Sequence, residues 1–443
     1  MTITIGNRAL VKRKTADKVF YSLYLFVLIF APPVIPYPHL FLTIFSFFPL
    51  ISTYKYRVLM VAKRSGIYNW VLSMLLLAIY TICVPFSVSA LCDDIVNASH
   101  YIFVINRYGV MLVAVSVCVT YLLCKADRDG YSYEFLLECF IDAGLIEGIC
   151  AVLAFLLPTI KSVFIFFMRK FTGSYLYSNT WYITVRSYGF ASTLVDVFGL
   201  GIGIVAGISF FYGVNGKSIY VLKSIVIAVA TLLNSRTGLL IYFIAVFFSV
   251  VYVLIKGNGK KKFSIVVTVG VLAFFGIKIL EVLSTNEATT SWFQSGIKSI
   301  ERILSGEKLT DGTNDALSLL FQKSFWQLPN FPRIVIGTGH SLYLAQGYSH
   351  SDVGYINELW LFGIVGCIIL YGTIVKICMN LIKSSNISVF KFAAFFLLVS
   401  YLFFNIKGAA LGYNPGAVSM FFVLFVGNYY KKKEESVTCK KMK

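Results

Sequence analysis

The sequence is poor in charged residues: aspartate, glutamate, lysine and arginine make up 13% of the 443 residues, whereas hydrophobic residues make up 58%. Soluble globular domains carry about 25% charged residues. Apolar runs long enough to cross a bilayer recur along the chain, as membrane proteins require. The composition therefore excludes a soluble protein and predicts an all-α polytopic membrane protein.

Acidic residues are especially scarce, 20 against 39 lysines and arginines, which gives a net charge of +19. Such an excess could serve nucleic-acid binding. The basic residues, however, gather in short clusters between the apolar runs, at 8–18, 55–64, 125–128, 256–262 and 431–443. Because cytoplasmic loops of membrane proteins carry this positive excess, we predict the membrane, and no nucleic acid, as the partner.

Paired cysteines are also missing: the nine cysteines include no C-x-x-C pair, and most lie inside apolar runs. They are predicted to be small buried side chains, so neither a disulfide framework nor a metal site is expected. The basic start runs directly into an apolar stretch that is long enough to span the bilayer. We predict a retained signal anchor there.

Hydropathy predicts about 12 transmembrane helices with both termini in the cytoplasm. The predicted spans lie near residues 19–36, 38–53, 67–91, 101–123, 135–157, 189–211, 218–233, 237–255, 263–283, 353–378, 389–406 and 415–430. Residues 1–443 are thus predicted to form a single integral membrane domain with a basic external loop at 158–188 and one large extracytoplasmic loop at 284–352. The loop 158–188 is basic against the positive-inside bias, which makes it an indication of function.

Three acidic residues, Glu134, Glu138 and Asp142, lie four apart at the start of a predicted span. An acid in the bilayer costs about 2.5–3.5 kcal/mol on insertion scales, so the stripe must face protein or water. Pairing with other helices is favoured, and a proton or ion path is the alternative. Glu358, in a later span, is predicted to pair with an arginine across the bundle.

Small residues recur every four positions along another predicted span, at Gly199, Gly203 and Gly207. This spacing lets two helices approach closely. The three glycines are therefore predicted to serve helix packing.

Two arginines lie beside spans on the predicted outer face. Arg186 ends the basic loop in "VRSYGF", and Arg236 interrupts two apolar spans in "LLNSRTGLLIYF", directly after Ser235. Arg236 alone could be an interfacial anchor whose side chain reaches the headgroups. With Arg186 on the same side, an anion site is the better interpretation, because guanidinium groups bind phosphate oxygens through paired, charge-assisted hydrogen bonds.

Histidine is scarce, yet two of the four histidines, His340 and His350, fall within "GTGHSLYLAQGYSHSDVGYINELWLFGIVG". Asp352 follows at once, and the stretch then enters an apolar helix. Histidine titrates near neutral pH and suits acid–base chemistry. This stretch is therefore a candidate for proton transfer.

These motifs together resemble those of the O-antigen and capsule repeat-unit polymerases, the Wzy-type enzymes related to the O-antigen ligases. The shared features are a basic external loop ending in R-x-x-G-F, the "SRTGLL" turn, and a large external loop that closes with "SDVGYINELWLFGIVG". Ligases typically have His-Asn where this chain has His350, Ser351 and Asp352. That departure favours the polymerase.

The resemblance implies a transferase in the bacterial cytoplasmic (inner) membrane. It would move a growing glycan from undecaprenyl pyrophosphate onto the end sugar of another lipid-linked repeat unit. Lipid-linked oligosaccharides are then the substrates, and a chain-length regulator and a repeat-unit flippase are candidate partners. Because the energy lies in the lipid-linked donor, neither a metal nor another cofactor is needed.

The reaction that the resemblance implies gives roles to particular residues. Arg186 and Arg236 are the candidates that bind the pyrophosphate and neutralise it as it leaves. His350 is the candidate base for the acceptor hydroxyl, with Asp352 as its orienter or as an alternative base.

Four supporting residues complete the predicted site: Ser235, Arg333, His340 and Tyr355. Three of them also have a purely structural interpretation. Arg333 could lie on the loop surface, His340 could hydrogen-bond within the loop, and Tyr355 could pack instead of touching sugar.

Two other functions stay open. A repeat-unit flippase also commonly has twelve spans, although transporters tend to consist of related halves with short external loops and broken helices. The loop 284–352 breaks such symmetry and counts against it. An O-antigen ligase would share the site but hand the glycan to a different acceptor, the lipid A core.

Overall fold

A computed structural model describes residues 2–53, 55–91, 102, 105–172, 186–191, 196–283, 294, 305, 323–339, 351, 353–384, 388–408 and 415–441. Across these residues every regular element is helical and no strand is present. A helix satisfies its own backbone hydrogen bonds, as a membrane requires. The all-helical architecture predicted from composition is the one that this part of the chain adopts.

The helices form two compact units. The first comprises Met1–Gly66, Ala114–Val267 and Pro415–Lys443, and the second comprises Ile67–Val113 and Thr268–Asn414. A π-helix, Ile105–Val110, precedes α5, and a 3₁₀ turn, Lys323–Trp326, precedes α12. The α-helices are α1 (Thr2–Phe30), α2 (Pro38–Thr53), α3 (Lys55–Ser65), α4 (Ile67–Leu91), α5 (Met111–Arg128), α6 (Tyr133–Leu156), α7 (Pro158–Thr172), α8 (Asp196–Val214), α9 (Ile219–Leu232), α10 (Arg236–Lys256), α11 (Gly259–Leu283), α12 (Arg333–Ile336), α13 (Gly354–Ser384), α14 (Ser388–Phe404) and α15 (Pro415–Lys441).

Several of these helices fit a bilayer. In the described residues, five stretches are long and apolar enough to cross it: Ile67–Val84, Tyr108–Arg128, Tyr133–Leu156, Arg236–Lys256 and Gly354–Lys383. Shorter apolar helices occur at Pro38–Ser52, Phe198–Val214, Ile219–Leu232 and Ser388–Phe404. These helices agree with a multi-pass membrane protein, and the count of twelve spans stays a prediction.

The predicted external loop at 158–188 begins with a regular helix. Residues 158–172 form α7, a basic, amphipathic helix with Arg169 and Lys170 in its last turn. Residues 173–185 lie outside the described residues. Most of the predicted loop at 284–352 also lies outside them, apart from 294, 305, 323–339 and 351.

Helix α8 is central to the first unit, because its side chains are buried on every side from Phe198 to Tyr212. It contacts α6, α9, α10 and α15. Its approach to α10 requires glycine: a Cβ at Gly203 would lie 2.6 Å from the carbonyl oxygen of Gly238, and a Cβ at Gly199 would overlap the Ser235 hydroxyl. The predicted packing role is confirmed for Gly199 and Gly203.

The acidic stripe on α6 pairs with lysines from other elements. Lys18 of α1 lies 3.4 Å from Glu138 and 3.2 Å from Asp142. Lys217, in the turn before α9, lies 2.5 Å from Glu138, and Lys223 of α9 pairs with Asp142. The hydrogen bond to Glu138 holds the pKa of the Lys217 ammonium above its ordinary value. Pairing between elements, the favoured interpretation, is confirmed for Glu138 and Asp142.

In the second unit, helix α13 is broken within its apolar length. Gly363 has φ 62° and ψ −177°, far from helical values. The carbonyls of Trp360 and Leu361, just before the break, accept the backbone N–H groups of Thr338 and Gly339 at 2.7 and 3.2 Å. Buried carbonyls need such partners, so the segment after α12 replaces hydrogen bonds that the break removes.

The backbones of Gly337 and Gly363 touch where this replacement occurs. Gly337 has φ 85°, and a Cβ there would lie 2.7 Å from the Gly363 nitrogen. The preceding short helix α12 is fixed on its other side, because the Tyr80 hydroxyl of α4 donates to the carbonyl of Ile336 at 2.9 Å. The break is therefore a packed junction of α4, α12 and α13.

Candidate functional site

The two segments that carry the predicted pyrophosphate-binding arginines are bonded to each other. The backbone N–H of Ser187, next to Arg186, donates to Asn234 Oδ1 at 3.0 Å, and Asn234 Nδ2 donates back to the carbonyl of Ser187. Asn234 Nδ2 also donates to the carbonyl of Ala230 at 2.7 Å. Because Asn234 is fully buried and lies two residues before Arg236, it holds the arginine-bearing segments together.

A buried glutamate fixes the other end of the same segment. The N–H of Phe190 donates to both oxygens of Glu147 on α6, at 3.2 and 3.3 Å. The Ser187 hydroxyl donates to the carbonyl of Ala151 at 2.7 Å. Gly189 has φ 59°, and a Cβ there would overlap the Glu147 carboxylate. The segment 186–190 is thus anchored by both α6 and the turn before α10.

Helix α7 covers this segment with apolar side chains. The rings of Phe164 and Phe190 have centroids 4.8 Å apart. Met168 and Tyr188 form a small buried cluster, against which Phe164 also packs. The outer side of α7 is exposed, and Phe166 alone is 60% accessible. An amphipathic helix of this kind, basic at its end, suits the membrane interface.

A cationic cleft lies between α7 and the anchored segment. It encloses about 280 Å³, including the part open to solvent. Arg186 Nη1 donates to the Tyr188 hydroxyl at 3.3 Å, and burial lowers the pKa of the Lys161 ammonium. The described lining residues, which include no aspartate or glutamate, are Ala154, Lys161, Phe164, Ile165, Met168, Arg186, Ser187, Tyr188 and Gly189. The two cations among these described lining residues give the cleft its positive charge.

Arg236 begins α10 at the junction but does not line the cleft. Its Nε is shielded from solvent, as is that of Arg186. Ser235 caps the helix, because its hydroxyl accepts the N–H of Gly238 at 3.1 Å. Such caps stabilise helices, so this contact gives Ser235 a structural role. The positive end of the α10 dipole adds to the charge of Arg236.

Two supporting residues, Arg333 and Tyr355, belong to the second unit, whereas the arginine junction belongs to the first. Arg333 begins α12, and its carbonyl accepts the N–H that closes this helix at 2.7 Å. The Tyr355 hydroxyl donates to the carbonyl of Leu402 at 2.6 Å, and its backbone N–H donates to the carbonyl of Asn405 at 3.2 Å. Tyr355 thus ties the start of α13 to the end of α14.

The candidate base and its neighbours, His340, His350 and Asp352, lie outside the described residues. Ser351 between them is described and is buried. Its hydroxyl donates to the carbonyl of Phe325 at 2.7 Å. The start of α13 is therefore attached to the 3₁₀ turn that precedes α12.

Glu358 has partners other than the predicted arginine. It is fully buried on α13, and its Oε2 accepts hydrogen bonds from the Tyr371 hydroxyl and, at 3.0 Å, from Asn405 Nδ2. Within the described residues no arginine contacts it. Neutral donors close by in the same unit replace the distant cation that the sequence suggested.

Three further residues shape the arginine junction: Glu147, Lys161 and Asn234. The sequence assigned Glu147 no role, although it is an acid in an apolar stretch, and it showed Asn234 only as a polar residue of the turn. Lys161 was visible only as one of several cations in the basic loop. Its place in the cleft depends on how α7 folds back, which no local pattern reveals.

No group of metal-binding side chains occurs in the part of the chain that the structure describes. The arrangement in the first unit can neutralise an anion, and the second unit holds a buried, hydrogen-bonded carboxyl. Compared with known proteins, the chain matches no family model, no curated protein and no solved structure.

Proposed function

We propose that this chain is an integral membrane glycosyltransferase that polymerises lipid-linked oligosaccharide repeat units. It takes the growing glycan from undecaprenyl pyrophosphate and attaches it to the end sugar of another lipid-linked unit. The proposal places twelve spans and cytoplasmic termini in a bacterial inner membrane, with the reaction at its outer face. The observation that carries it is the hydrogen-bonded junction of the two arginine segments beside a cationic cleft.

The cleft suits a diphosphate headgroup. The cleft is open to solvent and presents Lys161 and Arg186, so a diphosphate headgroup can bind at its mouth with the glycan and the lipid outside. Each charge-assisted hydrogen bond contributes about 1.5–3 kcal/mol. Lys161 and Arg186 supply such bonds from the cleft, and Arg236 is fixed at the adjoining turn.

The chemical step follows from the leaving group. The acceptor hydroxyl attacks the anomeric carbon from the opposite face, the bond from that carbon to pyrophosphate breaks, and the configuration inverts. The hydroxyl proton passes to His350, with Asp352 as orienter or alternative base. Fixed cations stabilise the charge that develops on the pyrophosphate, and they do so best in a site that excludes water.

The test is elongation of purified lipid-linked repeats by the purified full-length protein in detergent. Arg186→Ala and Arg236→Ala should each abolish long chains and leave the single repeats unchanged. Arg169→Ala is the matched control, because Arg169 is exposed, belongs to the same basic segment and does not line the cleft. Normal chain lengths with either of the first two variants would refute the assignment.

One observation favours a repeat-unit flippase as the second candidate. Transporters often contain a membrane helix that is interrupted near its middle, and α13 is interrupted at Gly363. The detergent assay separates the two functions, because elongation without a sealed membrane is catalysis. Movement of lipid-linked repeats across sealed vesicles, with no elongation in detergent, would establish the flippase.

A further inference from the structure

The second unit buries a carboxyl group in an apolar helix, and no counter-ion lies beside it among the described residues. Glu358 has 0% exposure and lies on α13, little more than one turn before the break at Gly363. In the part of the chain that the structure describes, no lysine or arginine forms an ion pair with Glu358. An isolated charge in such a place is strongly disfavoured, and the group is more stable when it holds a proton.

The hydrogen bonds at Glu358 are one-sided. Tyr371 and Asn405 both donate to Oε2, and Asn405 Nδ2 also lies 3.1 Å from the Tyr371 hydroxyl oxygen. The other oxygen, Oε1, is buried and has no hydrogen-bond partner among the described residues. A buried polar atom left in this way calls for an explanation. A proton on Oε1 removes the charge and leaves Oε2 as the acceptor of both bonds.

The same geometry disfavours a metal cation. Tyr371 and Asn405 present hydrogens to the carboxyl group, whereas a hard cation needs several oxygen ligands. The carbonyls at the helix break are no substitute, because those of Trp360 and Leu361 are occupied by backbone N–H groups. A proton is therefore the ligand that fits.

The other ionisable groups around Glu358 do not gain or lose a proton near neutral pH. Those on α13 and α14 are the phenols of Tyr355, Tyr371 and Tyr401 and the thiol of Cys367, all neutral there. On the elements that pack against α13 these are Tyr80 of α4, Tyr108 of the π-helix, and Arg333 of α12, which forms no ion pair with Glu358. Among these described groups, Glu358 is the carboxyl group.

We propose that Glu358 is a proton-binding site within the membrane-spanning part of the second unit. In the resting state Oε1 carries the proton. On release the O–H bond breaks and the proton passes to a water molecule that reaches Oε1, giving hydronium and a carboxylate that Tyr371 and Asn405 stabilise. Uptake reverses this step. The inference goes beyond glycan transfer and does not rest on it.

Infrared spectroscopy of the purified full-length protein in lipid nanodiscs tests the proposal. Wild-type protein should show a protonated-carboxyl C=O band that disappears as the pH is raised and returns when it is lowered. Glu358→Gln should lack this band. Glu147→Gln, which alters the buried glutamate of the first unit, should retain it. A wild-type protein without a titrating band, or a Glu358→Gln variant that keeps it, would overturn the proposal.

Two further measurements address misfolding of the glutamine variant and binding of a metal cation. Glu358→Asp should keep a titrating band with a shifted midpoint pH, which tests the site even if the glutamine variant fails to fold. Sodium chloride added at constant pH should leave the wild-type band unchanged. Loss of the band with sodium would make Glu358 a cation ligand and would also overturn the proposal.

Discussion

Each unit buries a glutamate inside a membrane-spanning helix, and the two differ in their partners. Glu147 accepts the backbone N–H of Phe190 and so holds a chain segment in place. Glu358 accepts from two side chains, Tyr371 and Asn405, which can follow a change of its charge. Burial alone therefore does not assign a role to a carboxyl group in an apolar helix. The hydrogen-bond donors around the group distinguish the two roles.

The largest expected loss of stability comes from a substitution at the helix break near Glu358. Gly363→Ala places a side chain in a conformation almost restricted to glycine and against the backbone of Gly337. The strained backbone and the clash with Gly337 should together destabilise the fold by about 3 kcal/mol or more. The thermal unfolding midpoint of the purified protein measures the loss.

Gly372→Ala is the control on the same helix, because nothing lies within 4 Å of a Cβ at Gly372. It should leave the midpoint unchanged or raise it slightly. Equal midpoints for Gly363→Ala and Gly372→Ala would show that the break is not a tightly packed junction.

The next largest loss of stability is expected for substitutions of Glu147 in the first unit. Glu147→Ala removes the acceptor of a buried backbone N–H, which should cost about 1–3 kcal/mol of folding free energy. Glu147→Gln keeps an oxygen for Phe190 and should restore most of it. If both variants unfold at the same temperature, Glu147 does not act through that hydrogen bond.

A smaller effect is expected for the matching change in the second unit. Glu358→Gln keeps one oxygen that can accept from both Tyr371 and Asn405 and resembles the protonated acid. Its unfolding free energy should lie within about 1 kcal/mol of wild type. A large loss would mean that an ionised Glu358 stabilises the fold, contrary to the proton-binding proposal.

The smallest effect concerns an acid that is paired at the surface. Lys217→Met removes a half-exposed partner of Glu138, and such pairs contribute below about 1 kcal/mol. Because the pKa of Lys217 is raised in the folded state, the stabilisation is complete below the ordinary value of 10.5 and is lost as the pH rises through the raised one. Unfolding midpoints of both proteins should differ at neutral pH and converge in strong alkali.

Much of the helical framework could be predicted from the sequence, because lipid exposure requires long apolar runs and these appear directly in the residues. The break in α13 could not. "WLFGIVG" has the composition of an uninterrupted apolar helix, and glycine is common in membrane helices. What separates Gly363 from an ordinary helical glycine is its contact with Gly337, which is distant along the chain.

The candidate site divides in the same way. The membrane side of Arg186 and Arg236 stays a prediction from the distribution of charge along the whole chain. The hydrogen bonds that join their segments depend on Asn234, an ordinary turn residue by its sequence context. The partners of Glu358 were equally hidden, because tyrosine and asparagine carry no charge to mark them as companions of an acid.

The hydrogen bonds at the break in α13 also fix the described residue that lies before the predicted base, and the chain resumes as a helix after it. Gly339 is bonded to Leu361 in the first half of α13, and the chain returns to that same half-helix at Gly354. Gly339 and Gly354, which flank the stretch that contains His350, are therefore both fixed to the first half of α13. Any tilt of this half-helix moves these two flanking residues together.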